Sequence, residues 1–148
     1  ITMTLETDDF VTGQSILTTA TRVPVNRRMQ FLPRFLGHDM RVGEALVYDW
    51  MQALAPDYGG GYWEFYELSN GGFYMAPELG CETIRIRCPG NFYDATMSPD
   101  AAGIVATLYA LNALVWKTRK AELRDMFDRL RDYAGDHTEG PKIFAAID

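Results

Sequence analysis

Apolar positions recur at three- and four-residue intervals from Asp39 to Leu54, where Met40, Ala45, Leu46, Val47, Trp50, Met51 and Leu54 share one face. This spacing predicts an amphipathic helix, closed by Pro56 and by Gly59, Gly60 and Gly61. From Tyr62 the pattern changes to strand. Aromatics crowd residues 62–68, Ser69-Asn70-Gly71-Gly72 follows, and residues 73–76 resume the run. Asn-Gly between two aromatic runs is a strong hairpin signal, because both turn residues are expected at positive φ. A third strand alternates Ile84 and Ile86 with Thr83, Arg85 and Arg87 to Cys88, and after Pro89-Gly90-Asn91 a fourth covers residues 92–97. Short links between consecutive strands predict one four-stranded antiparallel meander.

Ser98-Pro99-Asp100 has the order of a helix start: a capping hydroxyl, a proline in the first turn, then an acid facing the helix dipole. The helix it opens, to about Thr118, is apolar nearly all round and is expected at the centre. A last long helix spans roughly 120–137. It carries Leu123, Met126, Phe127, Leu130, Tyr133 and Ala134 on one stripe, with Asp125, Asp128, Asp132 and Asp136 on the other. Pro141 opens a short closing turn with Ile143, Phe144 and Ile147. Nearer the start, Asn26 is placed to cap a helix over 27–32 that Pro33 stops or kinks. Residues 1–25 lack such patterning and are expected to be a loosely ordered arm before a single domain over 26–148. The result is an α+β domain, a small four-stranded antiparallel meander sheet packed with helices.

Composition changes this picture little. The 148 residues suit one domain with a proper core, and the hydrophobic and charged fractions, 47% and 23%, are those of an ordinary globular chain. The apolar run from Ala101 to Trp116 is broken by Asn112 and followed by Lys117, Arg119 and Lys120, so it reads as a core helix and no membrane contact is expected. Because the sequence opens on Ile1, it is expected to begin inside a longer natural chain, which leaves a processed leader open. The formal charge of −6 disfavours strong direct binding to DNA phosphates. Cys81 and Cys88, placed in one strand, would stand roughly 23 Å apart at ~3.3 Å per residue, beyond disulfide reach. They read as two free thiols in a reducing compartment, the cytoplasm. Cys88 shares the parity of Ile84 and Ile86 and is expected in the core.

Candidate chemistry is sparse. His38 and His137 lie in different segments without zinc spacing, so no metal is expected. His38 reads as a surface or capping residue. Glu64 and Glu67 are three apart in a strand and therefore on opposite faces, which prevents them from flanking one bond. The glycines near Tyr58 match no nucleotide-binding fingerprint. The acidic stripe of the last helix could stand in for DNA phosphates before a basic partner, or be a solvated face eased by Arg124, Arg129 and Arg131. Two further readings are an enzyme site drawn from Glu64, Tyr66 and His38, which would make a small hydrolase, and a nucleic-acid-binding module using Arg27, Arg28, Arg34 and Arg41.

Particular words of the sequence go further. They are Phe31-Leu32-Pro33-Arg34-Phe35-Leu36-Gly37, then Arg41-Val42-Gly43-Glu44-Ala45-Leu46-Val47-Tyr48 with Trp50-Met51, then the run from Gly60 to Pro77. Ser98 to Leu108 and the closing Ala146-Ile147-Asp148 complete the set. In this order and spacing they resemble the ArdB/KlcA-type antirestriction proteins over residues of about 29–148, with looser similarity over 78–91 and 118–140. The resemblance implies a compact α+β fold without cofactor. It also implies inhibition of type I restriction–modification enzymes without catalysis, protecting incoming mobile DNA such as a plasmid. It brings no catalytic motif. For partner contact with the restriction complex we single out the polar groups inside the matched blocks, Glu64, Glu67 and Asn70 on the hairpin, Asp100 at the helix start, and Asp148. Asp148, read as the terminus, carries two carboxylates. The expected state is a monomer or weak dimer.

Overall fold

A computed structural model describes residues 17–148; the first sixteen positions of the expected arm lie outside the described residues. The described residues that fall within the expected arm include a strand. Ala20–Arg22 forms strand β1, antiparallel to β2 (Tyr62–Leu68), with Thr21 opposite Glu67. Val23 continues the pairing, its N–H donating to the Phe65 carbonyl at 2.8 Å, and its side chain is buried.

Helix α1 spans Arg28–Leu36 and follows a single tight turn at Val25–Arg27, so Asn26 does not cap it. Pro33 sits inside α1 and does not stop it. A proline in a helix frees the carbonyl four residues earlier, here that of Met29, which is 89% exposed, so solvent can satisfy it. Burial on the other face holds the helix together. Phe31 stacks on Phe65 at 5.1 Å and meets the edge of Phe73 at 5.8 Å. Helix α2, Met40–Leu54, ends within a residue of the expected bounds and buries Val47, Met51 and Leu54 of the expected face together with Gly43, whereas Ala45 is exposed and Met40, Leu46 and Trp50 are half-buried.

Strands β2 and β3 (Phe73–Glu78) form the hairpin, with Glu67 opposite Phe73 and Tyr62 opposite Glu78. The turn differs from the expected one in detail. Gly71 takes φ 89°, but among the described residues only Phe92 and Arg119 are non-glycines at positive φ, so Asn70 is not. Its side-chain oxygen instead accepts from the Gly72 N–H at 2.9 Å, a local turn asparagine makes readily.

The four expected strands are present, but they do not form one meander. The order is β1-β2-β3 in one sheet, with β4 (Ile84–Cys88) and β5 (Tyr93–Met97) as a separate two-stranded hairpin. The reason lies in helix α3, Pro99–Thr118, which occupies the free edge of β3. Gly103 brings the α3 backbone so close that an added Cβ would lie 2.4 Å from the Met75 carbonyl oxygen. One turn on, the buried Thr107 hydroxyl accepts from the Met75 N–H at 3.3 Å and donates to the Gly103 carbonyl at 2.8 Å. A helix therefore closes the edge where a fourth strand would have paired.

α3 has the length and hydropathy of a membrane span, yet it is the buried centre of the domain, between α2, the sheet, α4 and α5. α4 covers Ala121–Asp136 and α5 covers Gly140–Ile147. Cys88 is buried on β4 as its parity indicated; Cys81 is exposed and precedes β4, and both are free thiols.

Candidate functional site

The densest polar cluster lies where α3 begins and α4 ends. Ser98 caps α3 by accepting from the Ala101 N–H, and Glu139 in turn accepts from the Ser98 N–H at 2.9 Å and from its hydroxyl. One residue into the helix, Asp100 accepts the Tyr74 hydroxyl at 2.7 Å and faces His137 Nε2 at 2.8 Å. The Glu139 N–H donates to His137 Nδ1 at 2.9 Å, so that nitrogen is an acceptor and Nε2 carries the proton toward Asp100. Both ring nitrogens are occupied within the chain. Tyr66, Tyr74 and Tyr133 stack in series, with centroids 4.7 and 5.8 Å apart, and Tyr133 meets the His137 ring edge-on. Burial and the neighbouring Asp100 carboxylate push the hydroxyls of Tyr66, Tyr74 and Tyr133 above the ordinary phenol range. They stay neutral donors at any physiological pH.

A second cluster straps α1 to the sheet. Glu64 lies 3.6 Å from Arg22 and 3.5 Å from Arg28, while Glu67 lies 2.7 Å from Arg34 and 3.9 Å from Arg27. Arg28 also stands over the rings of Phe65 and Tyr62 at 4.3 and 4.7 Å and donates to the Trp63 carbonyl. Three of the four arginines of the nucleic-acid reading are therefore neutralised by carboxylates of the chain itself. Asn70 donates to the Arg129 carbonyl at 2.9 Å, and the Arg129 guanidinium returns a bond to the Asn70 carbonyl. Asp148 stands 3.7 Å from Arg131. In the acidic stripe, Asp125 and Asp128 pair with Arg129 and Arg124, and Asp136 accepts the Thr18 N–H.

The structure does not assemble an enzyme site from His38, Glu64 and Tyr66. His38 is exposed in the turn between α1 and α2, beside Arg34, Asp39 and Lys120, whereas Glu64 is held by Arg22 and Arg28 and Tyr66 stacks on Tyr74. Among the described residues no three His, Cys, Asp or Glu side chains converge as a metal site. Of the polar groups singled out in the sequence, only Asp100 lies in the α3–α4 cluster. His137, Tyr74 and Tyr133 went unrecognised. A usable signal was present: α3 and α4 are joined by the short link Arg119–Lys120, and Asp100 and His137 stand at similar distances from it along the chain, 19 residues before Arg119 and 17 after Lys120, which brings them near one another in an antiparallel pair.

Fold and clusters together define a small α+β protein whose conspicuous polar groups are engaged with one another. Its relatives give that class a name. The chain belongs to the antirestriction protein family, whose sequence profile matches residues 56–148. It is 48% identical to the antirestriction protein KlcA of Escherichia coli over 136 residues, covering 87% of this chain and 92% of that protein. The putative antirestriction protein YubI of Escherichia coli K12 is 35% identical over 129 residues, covering 82% of this chain and 89% of the relative. A solved structure, from work describing a novel fold for KlcA and ArdB proteins and antirestriction activity against type I DNA restriction systems in vivo but not in vitro, superposes with a TM-score of 0.85. It is 42% identical and covers 93% of this chain and 100% of that one. The α+β fold read from the sequence is that fold, and the resemblance is a family membership.

Proposed function

We propose that this chain relieves restriction by type I restriction–modification systems, acting in the cytoplasm by binding the restriction complex rather than by catalysis. The observation that carries the reading is the match to the solved antirestriction structure, at 42% identity over the whole of that chain. The side chains support a binding role. His137 has both nitrogens tied within the chain, and Glu64 and Glu67 are each claimed by two arginines. None is left as a free general base in a cleft. Direct DNA binding is disfavoured for the same reason, since Arg27, Arg28 and Arg34 already have carboxylate partners. The test is the plating efficiency of unmodified phage on cells carrying a type I system, with and without the protein. Plating rises if the reading is right, and no change across several type I families overturns it.

A further inference from the structure

A cavity of about 500 Å³ opens between α2 and the start of β2, lined by Tyr48, Gln52, Tyr58, Trp63 and the bare backbone of Gly59–Gly61. Three aromatic rings build it. Trp63 is 4% exposed and forms the floor. The half-buried Tyr48 and Tyr58 rings cross the indole plane at 62° and 81°, with centroids 5.2 and 6.1 Å from it. The Trp63 Nε1–H donates to the Tyr58 hydroxyl oxygen at 2.8 Å, which ties floor to wall. Tyr48 donates its own proton to Glu44, one turn back on α2, at 3.1 Å. Burial, and after it that carboxylate, pushes the Tyr48 hydroxyl above the ordinary phenol range, so it stays a neutral donor.

Three observations decide what this pocket would take. The first is the rings, whose π faces attract a cation, more strongly where water is excluded. The second is the mouth. Among the described residues no turn or loop backbone hydrogen bond involves Gly59, Gly60 or Gly61, and an added Cβ at Gly59 or Gly60 would meet nothing within 4 Å. Their carbonyls, with the exposed Gln52 amide, are open acceptors. The third is charge. Every lining residue is uncharged. Two charged groups act on Tyr48, Glu44 and Arg28. Arg28 is held by Glu64 and the Trp63 carbonyl, over the rings of Tyr62 and Phe65. Glu44 has no Lys, Arg or His partner among the described residues, so the unbalanced charge beside the pocket is negative. A guanidinium matches all three features: it is a weakly hydrated plane that stacks on aromatic faces and carries N–H donors along its edge.

We infer that this pocket receives an arginine side chain of a partner polypeptide, its guanidinium among the Tyr48, Tyr58 and Trp63 rings and its backbone along Gly59–Gly61. An ammonium would find the rings but use fewer of the acceptors. A free small cation would leave most of the 500 Å³ and the glycine mouth unused. Nucleic acid is disfavoured, because no cation of the pocket is free for a phosphate and the Glu44 carboxylate stands beside it. The inference does not depend on the restriction reading.

The full chain, labelled with ¹⁵N, is titrated with the acetylated, amidated peptide Gly-Arg-Gly, and the indole N–H signals of Trp50, Trp63 and Trp116 are followed. The Trp63 signal moves, since its N–H is bonded to the Tyr58 wall, while the other two stay. The same peptide with citrulline, which keeps the shape of arginine without its charge, moves none. Glu44→Gln is the decisive variant. It keeps an acceptor for the Tyr48 hydroxyl, so the melting temperature holds, while affinity for the arginine peptide falls roughly threefold, the size of a partly screened charge contact. Tyr58→Leu removes a wall and lowers affinity roughly fivefold, as loss of a cation–π contact predicts. The inference is overturned if the arginine peptide leaves Trp63 unmoved, if the citrulline peptide binds as well, or if Glu44→Gln binds as tightly as the parent. It is also overturned if methylguanidinium alone binds as tightly as the peptide, which would make a free cation the occupant. A Trp63 signal that moves with protein concentration alone overturns it too, in favour of a second copy, as does one that a DNA oligonucleotide moves where the peptide does not.

Discussion

Gly103→Ala is the substitution that most directly tests how the domain is built. In an exposed helix the change would stabilise, since alanine is favoured over glycine by about 1 kcal/mol in a helix interior. Here the new methyl would meet the Met75 carbonyl oxygen at 2.4 Å, Ala76 Cα at 2.5 Å and Ala76 Cβ at 2.6 Å. The first two contacts are backbone, which cannot rotate aside. α3 must retreat from β3, and overpacking of this kind costs about 1–3 kcal/mol. The retreat also stretches the bond from the Met75 N–H to Thr107, 3.3 Å in the parent, and a buried N–H left without an acceptor costs a further ~1–3 kcal/mol. After subtracting the helix-propensity gain, the net loss is about 1–5 kcal/mol. Gly135→Ala in α4 is the matched control, because nothing lies within 4 Å of its added Cβ; it gains up to about 1 kcal/mol. Urea denaturation followed by circular dichroism measures both, and amide exchange at Met75 reports the edge itself. If Gly103→Ala is as stable as the parent, α3 is not seated on the edge of β3. The explanation for the divided sheets then fails with it.

Thr107→Val keeps the shape but removes the acceptor for the Met75 N–H, so it destabilises by about 1–3 kcal/mol in the same denaturation assay. Asp100→Ala leaves the buried Tyr74 hydroxyl without its carboxylate and His137 Nε2 without its acceptor, a loss of about 1–3 kcal/mol that Asp100→Asn recovers in part. The tyrosines set a pH dependence. Burial and neighbouring acids raise the Tyr74 hydroxyl above its ordinary 10.0, and burial above all pushes Tyr109 up to about 12. Below pH 10 both states keep these protons; above it the unfolded chain releases them first, so stability falls as pH rises, for Tyr109 between 10 and about 12. Tyrosinate absorbance then appears together with unfolding, and a chain whose tyrosines titrate freely near 10 while still folded would refute the burial argument. Finally, Cys81 is exposed whereas Cys88 is 2% exposed, so a thiol reagent modifies Cys81 in the native chain and Cys88 only after denaturation.

How far the sequence could be read depended on whether a feature was local. The α3 start was legible because Ser98, Pro99 and Asp100 act on their own helix. The α2 face and the β2–β3 hairpin were legible for the same reason. The partition of the strands was not. It turns on Gly103 and Thr107, which in sequence are two small residues in an apolar helix and become informative only once β3 lies beside them. β1 was missed because Ala20–Arg22 has no alternation of its own; it is held by backbone pairing to β2 and by the burial of Val23. Pro33 misled in the other direction. Its rule presumes that the lost bond matters, and the freed Met29 carbonyl faces solvent.

The charged residues show the same division and bear most on function. The arginines that stand out in sequence, Arg27, Arg28 and Arg34, cluster within about two turns and look like a basic patch, yet the fold sets Glu64 and Glu67 opposite them. Arg119 and Arg124 look unremarkable in sequence, yet the α3–α4 pair brings both beside Trp116, where Arg119 stands over the ring and Arg124 pairs with Asp128. Net charge on a stretch of chain therefore says little about the charge a partner meets, because carboxylates arrive from elsewhere in the fold. The family-identifying words fall on the other side of this line. Trp63, Phe65, Phe73, Tyr74 and Met75 are each at most 6% exposed, so what they identify is the core. Recognition by a partner has to use what the core leaves outside, so a residue that identifies the family is not for that reason a residue that meets a partner.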